Sequence, residues 1–146
     1  MNIHIRKLPE EIVDYIIPFT YQLQNISLLE DIKNFNETKK IVLELYYNYW
    51  IVYFNEEVHE DKCWLINGLI AFFNNYEATM YGYTEKFYNI FRRNQSLQSN
   101  ETINNYFSLL EDKQVDSQIN ILWSLLTPKE RSDIIVSMQE NNQFLI

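Results

Sequence analysis

The sequence predicts an all-α fold: a single domain of about seven helices wrapped around one aromatic-rich central helix. Three observations support it. Apolar residues recur at steps of three and four in one segment after another, as in Leu65, Leu69, Phe72, Tyr76 and Met80. Helix-start signals precede several of these segments: Ser27 with Glu30, Thr84, and Thr127 with Pro128 and Glu130. Alternating strands bounded by turn pairs are absent from the sequence, as is any repeat of fixed period. With 146 residues, 47% of them hydrophobic and 16% aromatic, the chain is long enough for one buried core and too short to expect two.

The expected centre is residues 39–54, KKIVLELYYNYWIVYF. At helical spacing Ile41, Leu45, Tyr49 and Val52 form one stripe, and Val42, Tyr46, Trp50 and Tyr53 the next, so more than half the circumference is apolar. Such a helix belongs in an interior. Glu44, Asn48 and a length short of the ~20 apolar residues of a bilayer span exclude a membrane helix. The hydroxyls of Tyr46, Tyr47, Tyr49 and Tyr53 are expected to reach the rim of the core for water or a partner.

The other elements follow in order. After a short extended lead-in, Pro9, Glu10 and Glu11 open a helix whose apolar face is Ile12, Val13, Ile16 and Ile17, and Pro18 ends it. Ser27 and Glu30 form a capping box for a short helix through Leu28, Leu29, Ile32 and Phe35. Beyond the central helix, residues 55–61 (NEEVHED) read as an acidic bend, and a long helix then runs from Leu65 to Met80, with Gly68 marking close packing and Gly82 the stop. Thr84 caps a helix bearing Phe87, Ile90 and Phe91, with Arg92 and Arg93 in its last turn. Ile103, Tyr106, Phe107 and Leu110 make another helix, and Val115, Ile119, Leu122 and Leu126 the next. Thr127, Pro128 and Glu130 give the cleanest start in the chain, for a helix bearing Ile134, Ile135 and Met138 that fades from Glu140; Phe144, Leu145 and Ile146 form an apolar tail.

Chemistry is sparse. A net charge of -8 opposes nucleic acid and anionic membrane, both of which need a basic footprint, and points to protein partners. One cysteine, Cys63, excludes an internal disulfide, and the N-terminal stretch lacks an apolar secretory segment, so a reducing cytosol or nucleus is expected. His59 and Cys63 lie four apart beside Glu56, Glu57, Glu60 and Asp61, yet two soft ligands make neither a structural nor a catalytic zinc site, and His4 is remote in sequence. They read as an acidic bend with a buried cysteine at a helix head. Two isolated glycines cannot build a phosphate loop, and no nucleophile, base and orienting group fall at helpful spacing, so neither metal, cofactor nor enzymatic activity is expected. Arg92 and Arg93 beside Phe87, Tyr88 and Phe91 form the one basic and aromatic cluster, read as helix-end charges.

Leu8, Pro9, Glu10, Glu11 and Ile12, followed by Ile16 and later Leu28 and Leu29, resemble the opening of an F-box: a Leu-Pro-x-Glu-aliphatic start, an aliphatic residue four positions on, and a leucine-rich second helix. Residues 16–39 are similar to F-box-like proteins of giant DNA viruses of protists, whose A/T-rich coding suits a chain rich in Asn, Ile, Tyr, Phe and Lys. Pro18 falls where the family's first helix continues, and Trp50 is too distant to match the motif's tryptophan. The resemblance implies that residues 8–35 dock the adaptor subunit of a cullin-type ubiquitin ligase through Leu8, Pro9, Glu11, Ile12 and Ile16. Residues 36–146 would then form a helical body that recruits a target, in the cytoplasm or nucleus of an infected cell. A small viral structural protein that self-associates is the alternative.

Overall fold

The computed structural model of the chain describes residues 26–53 and 62–141. Among the described residues all regular structure is helical. Helix α1 is Ile26–Tyr47 and runs into a π-helical segment, Asn48–Tyr53; α2 is Cys63–Phe73, followed by a single 3-10 turn, Thr79–Tyr81; α3 is Glu85–Phe91, α4 Asn100–Leu110, α5 Val115–Leu125 and α6 Pro128–Asn141. These are six α-helices where about seven were expected. The short helix through Phe35 and the central helix from Lys39 are one continuous element, while the helix opening at Pro9 lies outside the described residues.

By its contacts the chain forms two compact units, Met1–Asn34 and Phe35–Ile146. The described part of the first is the opening of α1, where Ile26, Leu28, Leu29 and Ile32 are exposed. Within the second unit, the remainder of α1 buries Thr38, Val42 and Tyr46, one residue per turn. Lys40, Ile41, Glu44 and Tyr47 stay exposed.

Among the described residues the centre of the core is therefore not the stretch 39–50. It is α2, which packs along α5 and against α3, while α3 packs on α4. The reason is charge. Residues 39–54 contain Lys39, Lys40 and Glu44, which hold one face in water, whereas CWLINGLIAFF has no charged side chain and buries Leu65, Ile66, Gly68, Leu69 and Phe73.

Rings fill the space between α2, α3 and α4. Phe87, fully buried, lies 6.4 Å from Phe73, 4.8 Å from Phe91 and 5.4 Å from Phe107 between ring centroids, mostly edge to face. The π-helical segment places Trp50 flat against Trp64, 5.7 Å apart and 15° from parallel, and edge-on to Tyr49 at 5.3 Å.

One buried polar contact spans the sequence: the Trp123 indole N–H of α5 donates to the Thr38 hydroxyl of α1 at 3.0 Å. A second polar residue, Arg131 of α6, is 1% exposed. Its Nε donates to the Trp123 carbonyl at 3.1 Å and its Nη2 to that of Ser124 at 3.5 Å, while Arg93 Nη1 takes the Leu125 carbonyl at 2.8 Å. Three successive carbonyls at the C-terminus of α5 are thus met by two guanidinium groups, the carbonyl of Trp123 also accepting from the Leu126 N–H at 3.3 Å.

Candidate functional site

The structural site begins where α2 ends. Leu65 and Leu69 of the predicted stripe are buried and Phe72 is partly buried, but the helix stops at Phe73, and the continuation to Tyr76 and Met80 is not made. Asn75 and Tyr76 take left-handed backbone angles, φ 55° and 60°. The Asn75 N–H returns to the Phe72 carbonyl at 3.2 Å and that of Tyr76 to the Ala71 carbonyl at 2.7 Å, the two bonds of a Schellman stop with asparagine in the usual glycine place.

Asn74, fully buried, then braces the loop that follows. Its Oδ1 accepts from the Thr84 N–H at 2.7 Å, and its Nδ2 donates to the Glu77 carbonyl at 2.8 Å and the Gly82 carbonyl at 3.5 Å. Gly82 holds φ 101°, a backbone region that other residues rarely enter, and this glycine ends the 3-10 turn rather than α2. Thr84 caps α3 as expected, its Oγ1 accepting from the Phe87 N–H at 3.4 Å.

The braced loop turns three large side chains outward. Tyr76 is 61% exposed, Met80 80% and Tyr81 87%. Beside them lies a cleft of about 480 Å³ lined by Asn67, Ile70, Tyr76, Glu77, Tyr83, Phe107 and Glu111 among others. Tyr83 stacks flat on Phe87, 4.1 Å between centroids, and meets Phe107 edge-on at 5.6 Å. Burial pushes the hydroxyl pKa of Tyr83 above its ordinary value, and the charge of Glu111 and then Tyr88 add to the rise. Burial raises that of Tyr76 as well. Both hydroxyls stay protonated at neutral pH, the form able to donate a hydrogen bond.

Leu8, Pro9, Glu11, Ile12 and Ile16, the residues of the F-box resemblance, lie outside the described residues, as do His4, His59 and the tail 144–146. Cys63 heads α2 as expected but is exposed, not buried, because the inward positions of that first turn are taken by Leu65 and Ile66. No group of His, Cys, Asp and Glu fit to hold a metal ion occurs among the described residues.

Arg92 and Arg93 fall at and just past the end of α3. Arg92 pairs with Glu85 at 3.3 Å, bonds the side chain of Asn100, and lies over the Tyr88 ring, 5.9 Å to its centroid. Arg93 pairs with Glu130 at 2.6 Å. Both are engaged in joining neighbouring elements, beyond the helix-end role read from sequence. The cleft itself was missed at the sequence level. Its signal was Asn74, Asn75 and Gly82, three residues suited to turns, placed inside what reads as a helical stripe.

Compared with protein-family models, with curated proteins and with solved structures, the chain matches none. The class that fold and site define is an all-helical domain presenting a braced aromatic loop beside a cleft, and no helix among the described residues is long and apolar enough to cross a membrane.

Proposed function

We propose that the chain is a non-enzymatic protein-interaction module, acting in the cytosol or nucleus of an infected host cell. The observation that supports this reading is the exposure of Tyr76, Met80 and Tyr81 together on a loop fixed by the buried Asn74. Exposed aromatic and methionine side chains on a rigid support are the composition of an interface hot spot, since their ordering cost is met before the partner arrives. In this reading the helical body recruits a target, and the N-terminal residues Leu8, Pro9, Glu11, Ile12 and Ile16 dock the adaptor of a cullin-type ubiquitin ligase, as the F-box resemblance implies.

Two experiments test the two halves. Purified full-length chain is titrated with the ligase adaptor; no complex at tens of micromolar removes the ligase connection. Separately, wild type and a Met80→Ser/Tyr81→Ser variant are compared as baits in host extract. Both residues are exposed, so the variant folds, and the expected result is loss of a specific bound protein. Retention of every bound protein removes the loop as the interface.

Exposed Ile26, Leu28, Leu29 and Ile32 on α1 favour self-association as the second reading. Sedimentation at high concentration discriminates, since a strict monomer contradicts it.

A further inference from the structure

We propose that the cleft beside the braced loop receives a cationic side chain, the guanidinium of arginine or the ammonium of lysine, from an exposed segment of the protein partner; this rests on the interaction reading above. The cleft's volume of about 480 Å³ is ample for one long side chain. Its lining residues include Tyr76, Tyr83 and Phe107 together with Glu77 and Glu111, and no lysine or arginine. Aromatic faces and carboxylates have one class of ligand in common, the organic cation, attracted by the ring quadrupole and by the full negative charge.

The two carboxylates are also uncompensated. Among the described residues Asp116, Glu85, Glu130 and Asp133 each pair with a lysine or arginine, whereas neither Glu77 nor Glu111 makes an ion pair. The charge of Glu111 is felt inside the cleft, at the Tyr83 hydroxyl. An anionic side chain entering there meets two like charges, and an uncharged apolar one strips water from the carboxylates without replacing it. The net charge of -8 steers a basic partner toward the chain before contact.

The test is a titration of the isotope-labelled full-length chain with N-acetyl-arginine amide, N-acetyl-lysine amide and the uncharged isostere N-acetyl-citrulline amide, read by backbone amide shifts. Saturable shifts at Tyr76, Glu77 and Tyr83 are expected with the two cations and not with citrulline. The Glu77→Gln/Glu111→Gln variant, altered only at exposed positions, is expected to bind arginine amide at least about tenfold more weakly. Equal shifts from citrulline, or undiminished binding by that variant, overturn the proposal. Free putrescine binding about tenfold tighter than either capped amino acid also overturns it, assigning the cleft to a small metabolite instead. If the amides fail to bind while the Met80→Ser/Tyr81→Ser variant still loses its bound protein, the cation chemistry falls and the interaction reading stands.

Discussion

At the scale of the residue, Arg131 shows why burial and charge must be read together. An arginine 1% exposed is costly unless its donors are satisfied, and here they meet the helix-end carbonyls of Trp123 and Ser124, while its guanidinium lies over the Phe35 ring, 5.6 Å to the centroid. Arg131→Met keeps most of the volume but leaves buried carbonyls without these donors, so a loss of about 2–4 kcal/mol is expected from urea unfolding. Arg131→Lys does not restore it, because an ammonium cannot present a planar fork to two carbonyls. Arg93→Ala, which removes a more exposed contact to Leu125 and Glu130, is expected to lose about 1 kcal/mol or less. Sequence alone could have flagged Arg131, since it shares a helical stripe with Ile134, Ile135 and Met138. Tyr76 is the opposite case, an aromatic residue held at φ 60° where only glycine is unstrained. Tyr76→Gly relieves roughly 1 kcal/mol of backbone strain while deleting a 61% exposed ring. The thermal midpoint is therefore expected to hold or rise while partner binding falls; a clear drop in the midpoint assigns the ring a packing role instead.

At the scale of the element, starts were legible and stops were not. Thr84 caps α3, and at α6 the Thr127 N–H donates to Glu130 Oε1 at 2.8 Å while the Glu130 N–H donates to Thr127 Oγ1 at 3.2 Å, the reciprocal box that three letters of sequence announce. The cap of α4 at Ser99, which accepts from the Thr102 N–H at 3.1 Å, is hard to single out among the polar residues of NQSLQSN, 94–100. Stops depend on backbone angles that hydrophobic periodicity does not encode. The left-handed pair Asn75 and Tyr76 ends α2 although the stripe continues, and the two helices expected through Phe35 and from Lys39 run on as one, with Thr38 between them buried and bonded to the Trp123 indole. The α6 cap also sets a pH dependence. Burial raises the carboxyl pKa of Glu130, but hydrogen bonds from Arg93 and from the Thr127 N–H outweigh it, leaving the group below its ordinary 4.5. A carboxyl depressed in the folded state stabilises fully above its unfolded value and loses that contribution as pH falls through the folded one. Stability is thus expected to decline below about pH 4.5, and Glu130→Gln to flatten that acid limb while lowering stability at pH 7. An acid limb of unchanged slope in the variant assigns it to other carboxylates, such as Asp116, held down chiefly by its hydrogen bond from Lys62.

At the scale of the whole molecule, two electrostatic effects of opposite sign compete, and their magnitudes decide the response to salt. Four described ion pairs, Lys62–Asp116, Glu85–Arg92, Arg93–Glu130 and Lys129–Asp133, favour the folded chain. Three of them involve an acid more than half exposed, and such pairs are worth about 0–1 kcal/mol each and weaken as salt screens them. Against them stands the self-repulsion of 20 acidic side chains facing 12 basic ones, which acts over longer distances and is relieved by unfolding. Salt screens long-range repulsion more than short contacts, because the screening length of about 10 Å at 0.1 M exceeds the span of a pair but not of the protein. Raising sodium chloride from about 20 to about 200 mM at pH 7 is therefore expected to raise the thermal midpoint by a few degrees. Near the isoelectric point of about 4.7 the net charge vanishes, repulsion vanishes with it, and the same addition is expected to leave the midpoint level or slightly lower. A midpoint that falls with salt at pH 7 reverses the ranking: the attraction within the ion pairs that join α3 to α6 and Lys62 to α5 then outweighs the repulsion among the acidic side chains.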